Sequence, residues 1–537
     1  MSAGGAEEPP PCVLLRNCTI VQAGGAGIVA DVDVRAAQHV LVQGKRIAFV
    51  GDALPSDLLA SLTASRPPVV SLLASFLVPL CAALPLCRAS LSVVPRILNP
   101  PRPTAYAAPP SLPRLRRTCA CQRCSPTGCA SHALSLLLPM HASPPSAPST
   151  HAPCAPFPVE IDLAGRYLLP GLCDAHVHVT AAASADLHAL AALPVSLVAC
   201  RAARGLQAML MRGFTTVRDA GGCDQGLAQA VEEGTVEGPR ILISGHALSQ
   251  TGGHGDMRKP SHDTLPVAAP SSSLCACSSA ASAVGGLGIG RVCDGEAEVR
   301  RAVREELRRG ARQIKVMASG GVSSPSDRVE SVQFSEGEMR AAVEEAEAQG
   351  TYVMAHAYTA RAIKRAVEYG VRSIEHGNML DEEAAELMLQ RGSFLVPTLV
   401  TYERIKQAGQ QSGMDGSIVA KVQDLLERGL EAVALAERKG VPIVFGSDLL
   451  GPMQSHQLQE FGIRSKVQSP ASILRSATTA AARLFGMEGE IGVVVVGALA
   501  DLIVLDGNPL EDISILTDSN NLKLVMKDGA VVKRDIY

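Results

Sequence analysis

The stretch "AAVEEAEAQGTYVMAHAY", residues 341–358, carries one complete helix-to-strand unit. Met339, just before it, shares one helical face with Val343 and Ala346, while glutamates occupy the rest of the helix surface. Gly350 stands where the helix must end, because glycine enters the left-handed region without a Cβ penalty. A short apolar run then reads as a strand, and it closes on His356. The same order recurs on both sides, in "ELRRGARQIKVMASGG", "RAVEYGVRSIEHG", "LMLQRGSFLVPTLVTY" and "LAERKGVPIVFGSD", with Gly310, Gly370, Gly392 and Gly440 at the junctions. An earlier unit, "LQAMLMRGFTTVRDAGG" (206–222), follows the same rule. The strands are apolar throughout instead of alternating, as in a parallel sheet covered on both faces. Repetition on this scale predicts an α/β fold, a (β/α) barrel in preference to an open doubly wound sheet.

Composition narrows the function classes. At 537 residues the chain has room for a large domain and a smaller one, and 47% hydrophobic residues supply a core. A net charge of −3 offers no basic field for nucleic acid. The start, "MSAGGAEEPPP", has glutamates and prolines where a signal peptide would carry a basic flank and an apolar run. The expectation is a cytoplasmic protein with a small-molecule substrate and neither nucleic-acid nor membrane partners; a homo-oligomer is compatible with it.

Two tracts break the regular pattern. Residues 69–157 hold seven of the fifteen cysteines, no acidic residue and no lysine. Their Pro/Ser/Ala runs, such as "HASPPSAPSTHAPCAPFP", lack apolar period and read as a disordered insertion. The uncharged run at 69–87 has the length of a membrane span, but Pro79 and Pro85 would break its helix. "CACQRCSPTGC" (119–129) lacks a second thiolate pair at zinc-finger spacing. A shorter tract at 265–286 has the same character, and no cysteine follows Cys293. The cysteines therefore do not describe a disulfide framework.

The strand ends carry chemistry. Lys315 interrupts an apolar strand, where a buried ammonium is costly and tends to lose its proton. His356, His376 and Asp448 end three further strands, and "LLPGLCDAHVHVT" adds His176 and His178. Residues i and i+2 on a strand leave the same side, so both imidazoles can face one ion. In a barrel the residues at the C-terminal strand ends converge on one mouth. Singly, each has an ordinary explanation: a loop histidine, or an aspartate capping the next helix. Six such residues in one repeating frame point to a metal site.

"PGLCDAHVH", "GFTTVRDAGG", "IKVMASGG", "AHAYTARAIKRAVEYGVRSIEHG" and "VFGSDLLGP" resemble the amidohydrolase superfamily, in particular its imidazolonepropionase-related, prolidase-like (Xaa-Pro dipeptidase-like) branch. The resemblance implies a (β/α)8 TIM-type barrel with a small β-sandwich built from both chain ends. Residues 1–55 would be the N-terminal part of the sandwich, 56–158 the low-complexity insertion and 159–168 the last N-terminal sandwich strand. Residues 169–486 would be the metal-dependent barrel, carrying the second insertion at 265–286, and 487–537 the C-terminal part of the sandwich. It also implies two divalent ions, zinc by the nature of the donors, held by His176, His178, His356, His376, Asp448 and a carbon dioxide-derived carbamate on Lys315. The reaction implied is hydrolysis of an amide (C–N) bond in a dipeptide (Xaa-Pro or similar) or an N-acyl amino acid, by a metal-bridging hydroxide. Asp448 would move the proton and Tyr358 would donate to the developing oxyanion. His246 and His254, from "SGHALSQTGGHGD", are candidates for substrate contact. A cyclic amidohydrolase or deaminase of the imidazolonepropionase type, or a non-catalytic scaffold of the same fold, are the alternatives. Lys315 argues against a one-metal deaminase, and an intact ligand set argues against a scaffold.

Overall fold

The computed structural model describes residues 12–23, 32–54, 159–258, 288–324, 327–412, 414–422 and 424–536. The expectations for the insertions at 56–158 and 265–286, including 69–87 and 119–129, lie outside these residues. Five strands come first: β1 (Cys12–Ala23), β2 (Val32–Gln43), β3 (Arg46–Gly51), β4 (Val159–Asp162) and β5 (Tyr167–Pro170). The repeating region holds β6 (Leu172–Val177), β7 (Phe214–Asp219), β8 (Arg240–Leu242), β9 (Ala247–Ser249), β10 (Gly290–Val292), β11 (Ile314–Met317), β12 (Val353–Thr359), β13 (Ser373–Met379) and β14 (Phe394–Val396). β15 (Leu502–Leu505), β16 (Leu522–Lys527) and β17 (Ala530–Arg534) end the chain.

Both chain ends build one eight-stranded sheet in the order β17-β16-β15-β5-β1-β2-β3, with β4 also on β1. Its inner side chains come from both ends: Leu15, Ile20, Val40 and Val42 share a core with Leu502, Val504, Leu524 and Met526. The stretch 159–168, read from sequence as one strand, is two. A turn at Leu163–Arg166 separates β4 from β5, with Ala164 and Gly165 at positive φ (50° and 81°).

The repeating region is parallel. Six strands run in the order β10-β9-β11-β12-β13-β14 and three in the order β6-β7-β8. Register sets the heights of the site residues. Met317 lies opposite His356, and Ala357 opposite His376. Segment 441–448, which the sequence presents as a strand, makes one bridge, Leu395–Ile443. Its backbone also reaches β6, through Ala175 N to Phe445 O (2.8 Å) and Asp448 N to His176 O (2.8 Å). The ladder is not continued because Phe445 N turns to Ser476 O and Asp448 takes a φ of 52°. On the opposite flank Arg312 N donates to Ile243 O at 2.8 Å, tying the approach to β11 to the end of β8.

The helices between strands form as their sequences suggest. Ser335 and Glu338 make a capping box at the start of Glu336–Ala348, which buries Met339, Val343 and Ala346. Helices Glu382–Arg391 and Leu425–Lys439 end on Gly392 and Gly440 in the left-handed conformation. Among the described residues no helix is long and apolar enough to cross a membrane. The six described cysteines, Cys12, Cys18, Cys173, Cys200, Cys223 and Cys293, are free thiols.

Candidate active site

The C-terminal ends of the parallel strands surround a cavity of about 50 Å³. It is lined by His176, His178, His254, Lys315, His356, Tyr358, His376 and Asp448, with Leu187, Met257, Ile289, Met317 and Leu450 as apolar wall. His176 ends β6 on the same side as His178, and the Nε2 atoms of both approach Asp448 Oδ1, at 3.5 and 3.2 Å. One ligand atom from each of these three residues falls within 4.8 Å of the other two. The remaining imidazoles close the ring, with centroid separations of 5.0 Å for His176–His376 and 4.5 Å for His356–His376.

Each histidine is turned by a partner on its other nitrogen. His176 Nδ1 meets Glu375 Oε2 at 2.7 Å, and His178 Nδ1 meets Gly221 O at 2.9 Å. His356 Nε2 lies 3.2 Å from Gly320 O, and His376 Nδ1 lies 2.8 Å from Thr398 Oγ1. In all four rings one nitrogen is therefore held by an oxygen outside the Asp448 carboxylate, while the Nε2 atoms of His176 and His178 face Asp448 in the cavity, an arrangement of the kind that orients metal-binding histidines. The donor set, four imidazoles, a carboxylate and a buried amine, fits divalent ions of the zinc type.

Burial and neighbouring charges set the protonation of each group. Burial, with Lys315 close by, pushes the His176 imidazolium well below its ordinary pKa, and burial lowers His376 to about 3. Burial, with His254 next, does the same to His356. Burial alone would lower His178, but its hydrogen bond to Asp448 leaves it above its ordinary value. Burial alone would raise Asp448, yet the surrounding histidines, His176 foremost, hold its carboxyl well below the usual range. Lys315 is 1% exposed, and burial pulls its pKa down to about 8. Among the described residues none ties its Nζ by a hydrogen bond or ion pair. The backbone is strained at two of these positions. His376 and Asp448 hold φ of 73° and 52°, where a side chain costs on the order of 1–3 kcal/mol.

His254 and His246 part company. His254 stacks on His356 at 4.3 Å, held by Asp327 Oδ2 at 3.2 Å from its Nδ1. His246 is not among the residues lining the cavity. Its Nδ1 lies 3.2 Å from Glu306 Oε1.

Several residues of the site escape sequence reasoning. Glu375 is completely buried beneath His176 and pairs through Oε1 with the equally buried Arg218 Nη2 at 2.9 Å. Arg218 also donates to Ala175 O (2.7 Å) and Ser373 Oγ (3.0 Å). Asp174 joins β6 to the 447–448 turn by accepting from His176 N, at 3.0 Å, and Ser447 N, at 3.1 Å. Tyr402 donates to the Tyr358 hydroxyl at 3.0 Å. The signal available for Glu375 is its place beside His376, but strand alternation would send the two to opposite faces.

The amidohydrolase family model matches residues 167–532, and the chain belongs to that family. Ochratoxinase of Aspergillus niger is 37% identical over 376 residues, which are 68% of this chain and 75% of that protein. A prolidase crystallised with N-methylphosphonate-L-proline superposes with a TM-score of 0.72 at 39% identity, covering 97% of this chain and all of that one. A Xaa-Pro dipeptidase with bound methionine, 24% identical, shares the fold, with a TM-score of 0.67 and coverage of 97% and 100%. The chain is thus an amidohydrolase, an enzyme acting on carbon–nitrogen bonds, with prolidase-like structural neighbours.

Proposed function

We propose that this amidohydrolase is a binuclear metal-dependent hydrolase that cleaves the amide bond of a dipeptide, Xaa-Pro or similar, or of an N-acyl amino acid. The observation that carries the reading is the convergence on a single cavity of four oriented imidazoles, one ionised carboxylate and one buried lysine that has no hydrogen-bond or ion-pair partner among the described residues. The backbone bonds joining 441–448 to both β14 and β6 support a (β/α)8 barrel whose mouth is this cavity. The eight-stranded sheet of both chain ends is read as the accompanying sandwich domain. The strain at His376 and Asp448 supports function at these positions, since such outliers concentrate where geometry is needed for chemistry.

His176, His178, His356, His376 and Asp448, with a carbamate on Lys315, would hold the two ions. Lys315 suits that modification: a depressed pKa supplies the neutral amine, which bonds to the carbon of carbon dioxide, loses a proton and becomes an anion. When bound, the ions supply Lewis acidity toward the scissile carbonyl and lower the pKa of water. The chain's own groups do the rest. Asp448, held ionised, accepts the proton of the attacking water and returns it to the leaving nitrogen. Tyr358 donates a hydrogen bond to the carbonyl oxygen as it gains charge. His254, fixed by Asp327, offers its ring to the substrate, and the apolar wall excludes bulk water.

Two observations favour the substrate class. The wall is apolar, with Leu187, Met257, Ile289, Met317 and Leu450 on the cavity, and a neighbour 39% identical binds a phosphonate on the nitrogen of proline, a group with the tetrahedral shape of a hydrated amide. The test is a screen of zinc-loaded protein against Xaa-Pro dipeptides, N-acyl amino acids and cyclic amides. The expected result is release of proline or another free amino acid, abolished by a chelator and restored by zinc. Turnover confined to cyclic amides, or no turnover of any amide, overturns the reading.

A further inference from the structure

Between helices Leu399–Ala408 and Leu425–Lys439 the chain forms a short helix, Gly416–Lys421, which ends on a lysine that the proposed hydrolysis does not use. Lys421 Nζ donates to three main-chain carbonyls: Ser324 O at 3.0 Å, Asp327 O at 3.1 Å and Gly321 O at 3.3 Å. An ammonium carries three protons, so these contacts occupy all of them. Among the described residues Lys421 forms no ion pair. Its partners stand 94 to 100 residues earlier, in the loop that follows β11. The sheet order there is β11-β12-β13-β14, and Lys421 follows β14. The contact therefore spans β12 and β13, the strands that carry His356, Tyr358 and His376.

The loop that Lys421 holds is a wall of the cavity. Ser323 lines it. A Cβ on Gly321 would lie 2.4 Å from His254 Cε1 and 2.6 Å from His356 Nε2, so the main chain rests directly on both rings. Asp327 is the hub on the inner side. Its Oδ2 accepts from Gly321 N and Gln333 Nε2, both at 3.1 Å, and lies 3.2 Å from His254 Nδ1. Gln333 Oε1 in turn accepts from His254 N at 2.9 Å. Gly320 N to Ser331 O and Gln333 N to Ala318 O, 2.9 Å each, close the base of the loop. Asp327 thus holds His254 with its side chain and is itself held by Lys421 through its carbonyl. Without the ammonium three carbonyls lose a charge-assisted partner, and the segment bearing Ser323 and Asp327 is tied only at its base.

We propose that Lys421 is a positioning residue: it clamps the loop after β11 from across the mouth, and so holds His254 and Ser323 where the substrate meets them. The inference rests on the reading of this cavity as the substrate site. Lys421 does not itself line the cavity, so its effect falls on substrate binding and leaves the bond-breaking step alone.

The test uses zinc-loaded full-length protein. Lys421→Met keeps the length of the side chain and removes the ammonium. In hydrogen–deuterium exchange, peptides covering 318–333 should exchange about tenfold faster, while those covering helix Glu336–Ala348 should not change. With the dipeptide turned over fastest in the screen above, KM should rise roughly tenfold with kcat within about twofold, the pattern of lost uniform binding. Zinc content should equal wild type. Lys421→Arg, which keeps the charge and the donors, should recover most of the KM. Asp327→Ala frees His254 directly and should raise KM at least as far, and the double variant should be no worse than Asp327→Ala alone, as for residues that act as one unit. Lys406→Met, at an exposed lysine of helix Leu399–Ala408, is the control and should match wild type. Unchanged exchange at 318–333 in Lys421→Met overturns the clamp. Faster exchange there with unchanged KM, or with a fall in kcat and zinc content instead, overturns its role in placing the substrate. Effects that multiply in the double variant overturn the route through Asp327. Turnover of no amide at all removes the hydrolase reading, and the exchange measurement, which needs no substrate, then judges the clamp separately.

Discussion

Glu375→Gln changes one atom in the least exposed part of the site, and the structure says what should follow. Glu375 and Arg218 both have 0% side-chain exposure, with 2.9 Å between Oε1 and Nη2. Removing one partner of a buried pair costs about 3–5 kcal/mol, because the other charge stays buried without compensation. Arg218 keeps Ala175 O, Ser373 Oγ and Tyr352 OH as acceptors, which places the expected loss near ~3 kcal/mol. The other oxygen faces His176 Nδ1 at 2.7 Å, where a glutamine offers at best a neutral acceptor. Loss of such an outer partner typically weakens metal binding by about 10–100-fold. Two assays separate the effects. Urea denaturation of the metal-free protein reads the first, and zinc competition against a chromophoric chelator reads the second. Glu383→Gln is the control, since it removes an exposed partner of Lys364 and should leave both readouts unchanged. Zinc affinity within twofold of wild type, together with a stability loss under about 1 kcal/mol, would refute the view that Glu375 organises the site.

Three further outcomes are expected. Lys315→Ala should lose most bound metal and activity, and short carboxylates or bicarbonate should restore part of each; metal content equal to wild type by elemental analysis excludes a bridging lysine carbamate. Asp448→Asn keeps the shape but not the base, so kcat should fall by roughly two to four orders of magnitude, while retained turnover in steady-state assays would leave Asp448 as a strained turn residue only. Glu460 is buried, and burial raises its carboxyl from 4.5 to about 8 against the pull of Arg464. Because the folded value lies above the unfolded one, the folded state holds a proton that the unfolded state releases, and this site makes stability fall as pH rises from about 4.5 to about 8. Glu460→Gln should therefore gain on wild type across that window by a few kcal/mol, on the order of 2–4; parallel urea-derived stability curves from pH 5 to pH 8 would show that Glu460 does not titrate there.

The units of the repeating region were legible because their signals are local. Helix period, a glycine with positive φ at the junction and an apolar run are properties of neighbouring residues, and helix Glu336–Ala348 buries the face that its spacing predicts. The strand-end positions of His176, His356 and His376 were legible for the same reason, since strand ends are marked in the chain. Segment 441–448 was less so: its apolar run looks like a strand, but Phe445 N bonds to Ser476 O, a partner no local pattern names.

What the chain order could not reveal is contact across it. His246 and His254 lie in one glycine-rich stretch with nothing to tell them apart, yet one stacks on His356 and the other pairs with Glu306. Glu375 and His176 are 199 residues apart, and their 2.7 Å bond exists only because parallel strands bring their ends together. Alternation would also have set Glu375 and His376 on opposite faces. The φ of 73° at His376 breaks that rule, so both approach His176, one from beneath and one from beside it. Which groups stand at the strand ends can be read from the chain alone, because periodicity is written in nearest neighbours. The tertiary structure alone decided which groups turn and ionise them, because hydrogen bonds and desolvation depend on atoms that the chain brings together only when it folds.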